Sequence, residues 1–258
     1  FDLGGGPTPI DGLSGVPFAS DATGPIGDFD NSHLIGDANQ GGVTYDADSD
    51  SYTLEANGSD IWNGGDHMAF AYKAVTGDFV ATAHVAERID GASGRWGKHG
   101  LMARQTCHSN ARYSMIQTNL SGVNEAEIDL PRHAWRQNQG ENGSSSDVYQ
   151  VDDGALAGFD PDAGQRVNRR PTWMRMYRVG ALIQTQLAFE DENGDPIQWQ
   201  TIGGDSHPDR PDTLLVGLAL TNHSGDVGSA VFDQVSIEAY DPGADESVRG
   251  DEIGPLAL

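Results

Sequence analysis

The residues best equipped for chemistry are acidic. Glu127-Ile-Asp129-Leu-Pro131-Arg132 sets two carboxylates at alternate positions, with Glu125 beside them. Alternate residues of an extended strand share a face. The run therefore offers part of what glycosidic cleavage needs, a carboxylic acid to protonate the leaving oxygen and a carboxylate to attack or to activate water. The positions that follow are Pro131 and Arg132, neither an acid. The stretch reads as a polar strand or loop edge rather than a catalytic set.

Other reactive chemistries leave no matching pattern. The eight histidines (33, 67, 84, 99, 108, 133, 207 and 223) are scattered, without the His-Glu-x-x-His or His-x-His spacing of a zinc site. No Gly-x-Ser-x-Gly elbow or phosphate-cradling loop is found. The single cysteine, Cys107, excludes an internal disulfide and reads as a small core residue. Asp46, Asp48 and Asp50 fill positions 1, 3 and 5 of a calcium-loop register, but Ser51 and Asn57 stand where Gly and Glu are required, so a hairpin turn is expected there. Asp233 alternates with Val231, Val235 and Ile237, which predicts a carboxylate pointing into the interior. Such a group needs a cation, an arginine or backbone N–H groups to meet its charge.

Sugar recognition uses aromatic planes flanked by polar side chains. Among the five tryptophans (62, 96, 135, 173 and 199), Trp173 sits in an alternating run and is expected in the core. Trp62 lies in a Gly/Asn-rich corner, Trp135 in the polar run His133-Ala-Trp-Arg-Gln-Asn-Gln, and Tyr149 after a Ser/Gly-rich stretch. Trp62, His133, Trp135, Arg136 and Tyr149 form the expected sugar-binding face.

These residues have to be positioned by strands. Period-2 alternation marks His67–Lys73, Phe79–Ile89, Trp173–Val179 and Val231–Ile237, and Leu214–Leu220 is almost continuously apolar, as in a strand covered on both faces. Asp46–Asp50, Thr76-Gly-Asp78, Asp191–Gly194 and Asn222–Gly225 read as tight hairpin turns between such runs. No helical stripe of ten residues appears. About a dozen strands with polar connections predict an all-β chain, a two-sheet antiparallel jelly-roll sandwich. Residues 1–30, rich in Gly, Pro and Asp, suit an extended N-terminal arm or linker; residues 31–240 form the sandwich and 241–258 a C-terminal tail.

Charge narrows the partners. With 15 Lys+Arg against 39 Asp+Glu the formal net charge is −24, a field that repels phosphate backbones and anionic membranes. No nucleic-acid partner is expected. No apolar run approaches 18 residues, so no membrane span is expected.

Six segments in order carry a family resemblance. Gly42-Val-Thr-Tyr-Asp46 with Tyr52-Thr-Leu-Glu55 and Ser59-Asp-Ile-Trp62 resembles the opening hairpin and corner of the concanavalin A-like (laminin-G-like) jelly-roll modules of secreted bacterial proteins. Phe70–Val85, Trp96-Gly-Lys-His-Gly-Leu-Met-Ala-Arg104, Trp173–Arg178, Val216–His223 and Phe232-Asp-Gln-Val-Ser-Ile237 resemble later strands. The resemblance runs from about Ile35 to Tyr240. Leu34-Ile35-Gly36 departs from the family's Asp-Ile-Gly, and Ser121–Arg170 is longer than usual. The Glu-x-Asp-x-x-Glu pattern of the family's glucanases breaks at Arg132.

The resemblance implies a secreted or cell-surface location and a polysaccharide or cell-surface glycan as partner. It also implies a structural Ca2+ between the entry segment and the last strand, with Asp28, Asp30, Asp37 and Asp233 as candidate ligands. The leading expectation is a non-catalytic extracellular glycan-binding or adhesion module, self-associating through the apolar-dotted arm (Phe1, Leu3, Ile10, Leu13, Val16, Phe18). A glycoside-active enzyme, hydrolase or lyase, and a purely structural self-assembling subunit are the alternatives.

Overall fold

The computed structural model describes residues 24–89, 96–119, 131–147 and 171–240. Most of the expected arm, Glu125, Glu127, Asp129, Tyr149 and the C-terminal tail lie outside the described residues. Those described form fourteen strands and no helix.

Two seven-stranded antiparallel sheets pack face to face. The first is ordered β1 (Asn31–Ile35), β4 (Met68–Thr76), β13 (Thr213–Thr221), β6 (Lys98–Arg104), β7 (Tyr113–Asn119), β8 (Arg132–Arg136) and β9 (Ser144–Asp147). The second is ordered β12 (Pro196–Ser206), β11 (Leu182–Glu190), β10 (Trp173–Val179), β5 (Phe79–Ile89), β14 (Gly228–Ala239), β3 (Ser51–Ala56) and β2 (Gly41–Asp46). This is the two-sheet jelly roll expected from the alternation.

Why these runs are strands follows from what each face meets. Phe79, Ala81, Ala83 and Val85 of β5 point into the main core with Met174 and Met176 of β10 and Ile183 and Leu187 of β11. Leu214, Val216, Leu218 and Leu220 of β13 close it from the first sheet. Burying each such large side chain contributes about 1.5–3 kcal/mol. β13 is apolar throughout because its outer face is covered as well. Ala219 lies in a second cluster with Ile35, Ile61, Met68, Phe70 and Met102, and Leu215 packs against it. At Gly217 of β13 a Cβ would come within 1.9 Å of the Ala71 carbonyl oxygen of β4.

Two of the four expected hairpins are crossings between sheets. Asp46–Asp50 joins β2 to β3 and Asp191–Gly194 joins β11 to β12, both within one sheet. Thr76-Gly-Asp78 instead carries the chain from β4 of the first sheet to β5 of the second, and Asn222–Gly225 carries it from β13 to β14. The turn residues are of the same kind in both cases; only pairing with distant strands separates a hairpin from a crossing.

Asp233 does not point into the interior. Ala230 and Phe232 of β14 occupy the core, while Val235 and Ile237 pack against it from partly buried positions. The phase of the strand therefore shifts by one residue between Phe232 and Val235. A register irregularity between Asp233 and Ser236 makes the shift, with Gln234 at φ 48°. A bulge of this kind turns the following side chains to the opposite faces, and it leaves Asp233 on the outer face beside His84.

Candidate functional site

The outer face of the second sheet carries a set of aromatic and polar groups in which His84, Arg175, Glu190, Trp199 and Asp233 are half-buried and Trp173 and Tyr177 are buried. Register places it: Trp173 is paired with His84 on one side and Ala188 on the other, Arg175 with Thr82 and Gln186, Tyr177 with Val80 and Gln184. Because Met174 and Met176 face the core, Trp173, Arg175 and Tyr177 face out. Trp173 is thus buried without belonging to the core. Its rim is closed by Trp199, whose ring centroid lies 6.5 Å away at 78°, and its Nε1–H donates to the Gly194 carbonyl at 3.0 Å.

The groups form a continuous row. His84 Nδ1 lies 2.6 Å from Asp233 Oδ1 and its Nε2 lies 3.1 Å from Glu190 Oε2. Thr172 Oγ1 donates to the same Glu190 oxygen at 3.1 Å. The His84 ring stands 5.0 Å from that of Trp173. The Arg175 guanidinium lies 3.7 Å over the Trp199 ring and its NH1 donates to Tyr177 Oη at 3.0 Å. Tyr177 meets Tyr240 edge-on at 5.2 Å. The side chains of Glu190 and Asp233 keep 38% and 30% of their surface exposed, so each can still accept hydroxyl hydrogen bonds. Both nitrogens of His84 face carboxylates, so the ring is engaged within the face on either side.

The four described residues of the expected sugar-binding face are not brought together. His133 and Trp135 share one face of β8 and their rings stack at 5.4 Å, whereas Arg136 lies on the other face. His133 and Arg136 are both fully buried, so a bound sugar meets neither. Arg136 grips Asp66 with two bonds, NH1 to Oδ2 at 2.8 Å and NH2 to Oδ1 at 2.6 Å, and its Nε donates to the Glu141 carbonyl. Trp62 is half-buried on that same side, its carbonyl accepting from Gly143 N–H.

His133 belongs to a buried network between the sheets. Its Nε2 lies 2.9 Å from Asp205 Oδ1 on β12 and its Nδ1 lies 3.1 Å from Thr185 Oγ1 on β11. Arg210 NH2 and His207 Nε2 both lie 2.6 Å from Asp205 Oδ2. Burial alone would raise the Asp205 carboxyl; hydrogen bonds from His133 and His207 and the Arg210 charge outweigh it and hold the group well below the ordinary carboxylate range. Gly203 makes room for the bridge, since a Cβ there would come within 2.7 Å of His133 Cβ.

The carboxylates of three expected calcium ligands, Asp30, Asp37 and Asp233, are engaged by separate partners, and Asp28 is tied through its backbone. Asp28 N–H donates to Tyr52 Oη, Asp30 Oδ2 accepts from Ala74 N–H, Asp37 Oδ1 lies 3.1 Å from His67 Nδ1, and Asp233 meets His84. Among the described residues no group of three or more His, Cys, Asp or Glu is placed to hold a metal ion. The Asp46–Asp50 stretch is a turn, with Asp46 Oδ1 accepting from Asp48 N–H.

No family model and no curated protein matches the chain. Solved structures do. A protein of unknown function from Saccharomyces cerevisiae is 14% identical, with a TM-score of 0.51 over 77% of this chain and 92% of that one. Alginate lyase AlyC3 is 8% identical, with a TM-score of 0.45 over 76% and 77%. The metal-free lectin I-B4 of Griffonia simplicifolia is 12% identical, with a TM-score of 0.40 over 77% and 92%. The likeness is one of fold, the concanavalin A-like jelly roll. Among the described residues no helix is long and apolar enough to cross a membrane.

Proposed function

We propose that this chain is a non-catalytic, extracellular glycan-binding module that lays a carbohydrate chain across the outer face of its second sheet. The observation that carries the reading is the half-buried row Asp233–His84–Glu190–Arg175–Trp199, seated on the buried rings of Trp173 and Tyr177. It crosses five neighbouring strands, β14, β5, β10, β11 and β12, which at ~4.8 Å per strand span roughly 19 Å. Aromatic edges supply apolar contact to sugar C–H faces, and Glu190, Asp233 and Gln184 supply hydrogen-bonding groups. The first sheet offers less, because loops carrying Ile61 cover its outer face.

Binding without turnover fits this face better than hydrolysis. Its histidine is held by a carboxylate on each side, and those two carboxylates are engaged by the same ring. The surplus of acidic groups, set against Arg175, favours neutral over anionic chains.

The test is a glycan panel assayed twice, for binding by titration calorimetry and for release of reducing or unsaturated ends. Saturable binding weakened by Trp199→Ala, with no product formed, is the expected result. Product formation lost on Glu190→Gln or Asp233→Asn would assign an enzyme instead. Absence of binding to any neutral or acidic glycan would end the proposal.

A further inference from the structure

We infer that the exposed surface of this protein is an interaction surface for a diffuse layer of monovalent cations, so that the fold reaches full stability only in a saline medium. The chain sets 39 Asp+Glu against 15 Lys+Arg, a formal net charge of −24. The fold makes the surface more one-sided than the composition, because it draws the positive charges inward. Among the side chains described, no lysine or arginine is exposed. Lys98, Arg104, Arg136 and Arg178 are buried, and the others are half-buried.

Carboxylates take the opposite position. Exposed acids stand on the β2–β3 turn (Asp48), on β5 (Glu87), on the β8–β9 connection (Glu141), on the β11–β12 turn (Glu192), on the β12–β13 connection (Asp212) and on the β13–β14 crossing (Asp226). They are distributed over both sheets and the crossings between them. One acidic patch would suit a docked cationic partner. A field this widely spread suits mobile cations that occupy no fixed site.

Salt acts differently on the two sets of charges. The screening length is about 10 Å at 0.1 M ionic strength and about 3 Å at 1 M. Repulsion between exposed carboxylates, such as Asp46, Asp48 and Asp50 within one turn, is felt in dilute buffer and fades as salt rises. Buried pairs are screened much less. Lys98 with Asp60 at 2.5 Å, Arg136 with Asp66 at 2.6 Å and Arg210 with Asp205 at 2.6 Å keep their attraction. Net charge far from zero opposes the compact state through self-repulsion. Salt therefore removes what opposes folding and leaves the interior pairs intact.

The experiment follows thermal melting of the full chain at constant pH in sodium chloride from about 0.05 M to about 2 M. The melting temperature is expected to rise by roughly 10 °C or more, steeply below about 0.5 M and flattening above it, as screening does. A change within about 2 °C across the series overturns the inference. So does a rise that is linear in concentration throughout, which is the mark of strengthened apolar burial rather than of screened charge. A variant carrying Asp48→Asn, Glu55→Gln, Glu87→Gln, Glu192→Gln, Asp226→Asn and Glu238→Gln removes six exposed charges at nearly constant side-chain volume. It should melt roughly 3–6 °C above the unaltered protein in dilute buffer and respond less to salt. Equal melting in dilute buffer with the same salt response would also overturn the inference. The curve of the unaltered protein decides the matter even where the variant fails to fold.

Discussion

His133 on β8 of the first sheet and Asp205 on β12 of the second meet at 2.9 Å across the interior of the sandwich. The pair ties the two sheets together at a point where the apolar core has already given way to polar side chains. Asp205 also receives His207 and Arg210, so one carboxylate organises three basic groups. Asp205→Ala therefore strands three buried donors. The expected loss is about 3–5 kcal/mol of unfolding free energy, read by urea denaturation. A loss under ~1 kcal/mol would show that the bridge is incidental to stability.

The same carboxylate sets an acid limit. Its folded-state value lies below the ordinary carboxylate range. A group depressed on folding contributes stability that is complete above its unfolded value of about 3.9 and is lost as pH falls toward the folded value. The unaltered protein is expected to lose stability steeply below about pH 4, while Asp205→Asn, already weaker at pH 7, shows a shallower slope there. Parallel slopes for the two proteins between pH 4 and 2.5 would remove Asp205 from the account.

Binding and stability should separate on the outer face of the second sheet. Trp199 is half-buried on β12, outside the main core. Trp199→Ala is expected to weaken glycan binding by ~10- to 100-fold, the range of an aromatic anchor worth about 1.4–2.8 kcal/mol. Its melting temperature should fall far less than that of Asp205→Ala. Comparable thermal losses would mean that Trp199 is a packing residue. Arg175→Lys keeps the charge and loses the flat guanidinium over the ring, so it should also weaken binding.

Alternation along the chain located β4, β5, β10 and β14, and a continuous apolar run located β13. β5 and β10 run over Phe79–Ile89 and Trp173–Val179, the spans the pattern marks, because each turns alternate apolar residues into the core. Alternation was not enough to say what the outward residues meet. The pattern puts Trp173 in the core and the polar run His133–Arg136 on a ligand face, yet Trp173 faces outward under Trp199 while His133 and Arg136 are buried. Their burial depends on Asp205 and Asp66, 72 and 70 residues away along the chain. Nothing local signals partners at that distance. Asp233 failed for a different reason: a single irregular residue reverses the strand's phase, and Gln at that position carries no turn signature.

That residue offers the sharpest check on the face it creates. Gln234 is exposed and holds φ at 48°. A side chain in the left-handed region costs roughly 1–2 kcal/mol, which glycine avoids while bringing more chain entropy to the unfolded state. Gln234→Gly is therefore expected to raise stability by about 0.5–1 kcal/mol, or roughly 1–4 °C, with glycan affinity unchanged. Gln234→Val works in the opposite sense. Valine resists positive φ and favours regular pairing, which pulls the strand toward an unbulged register and Asp233 toward the interior, away from His84. The valine variant should lose both stability and binding. If it retains full binding, the position of Asp233 beside His84 is not what the face requires, and the carboxylate has no part in recognition.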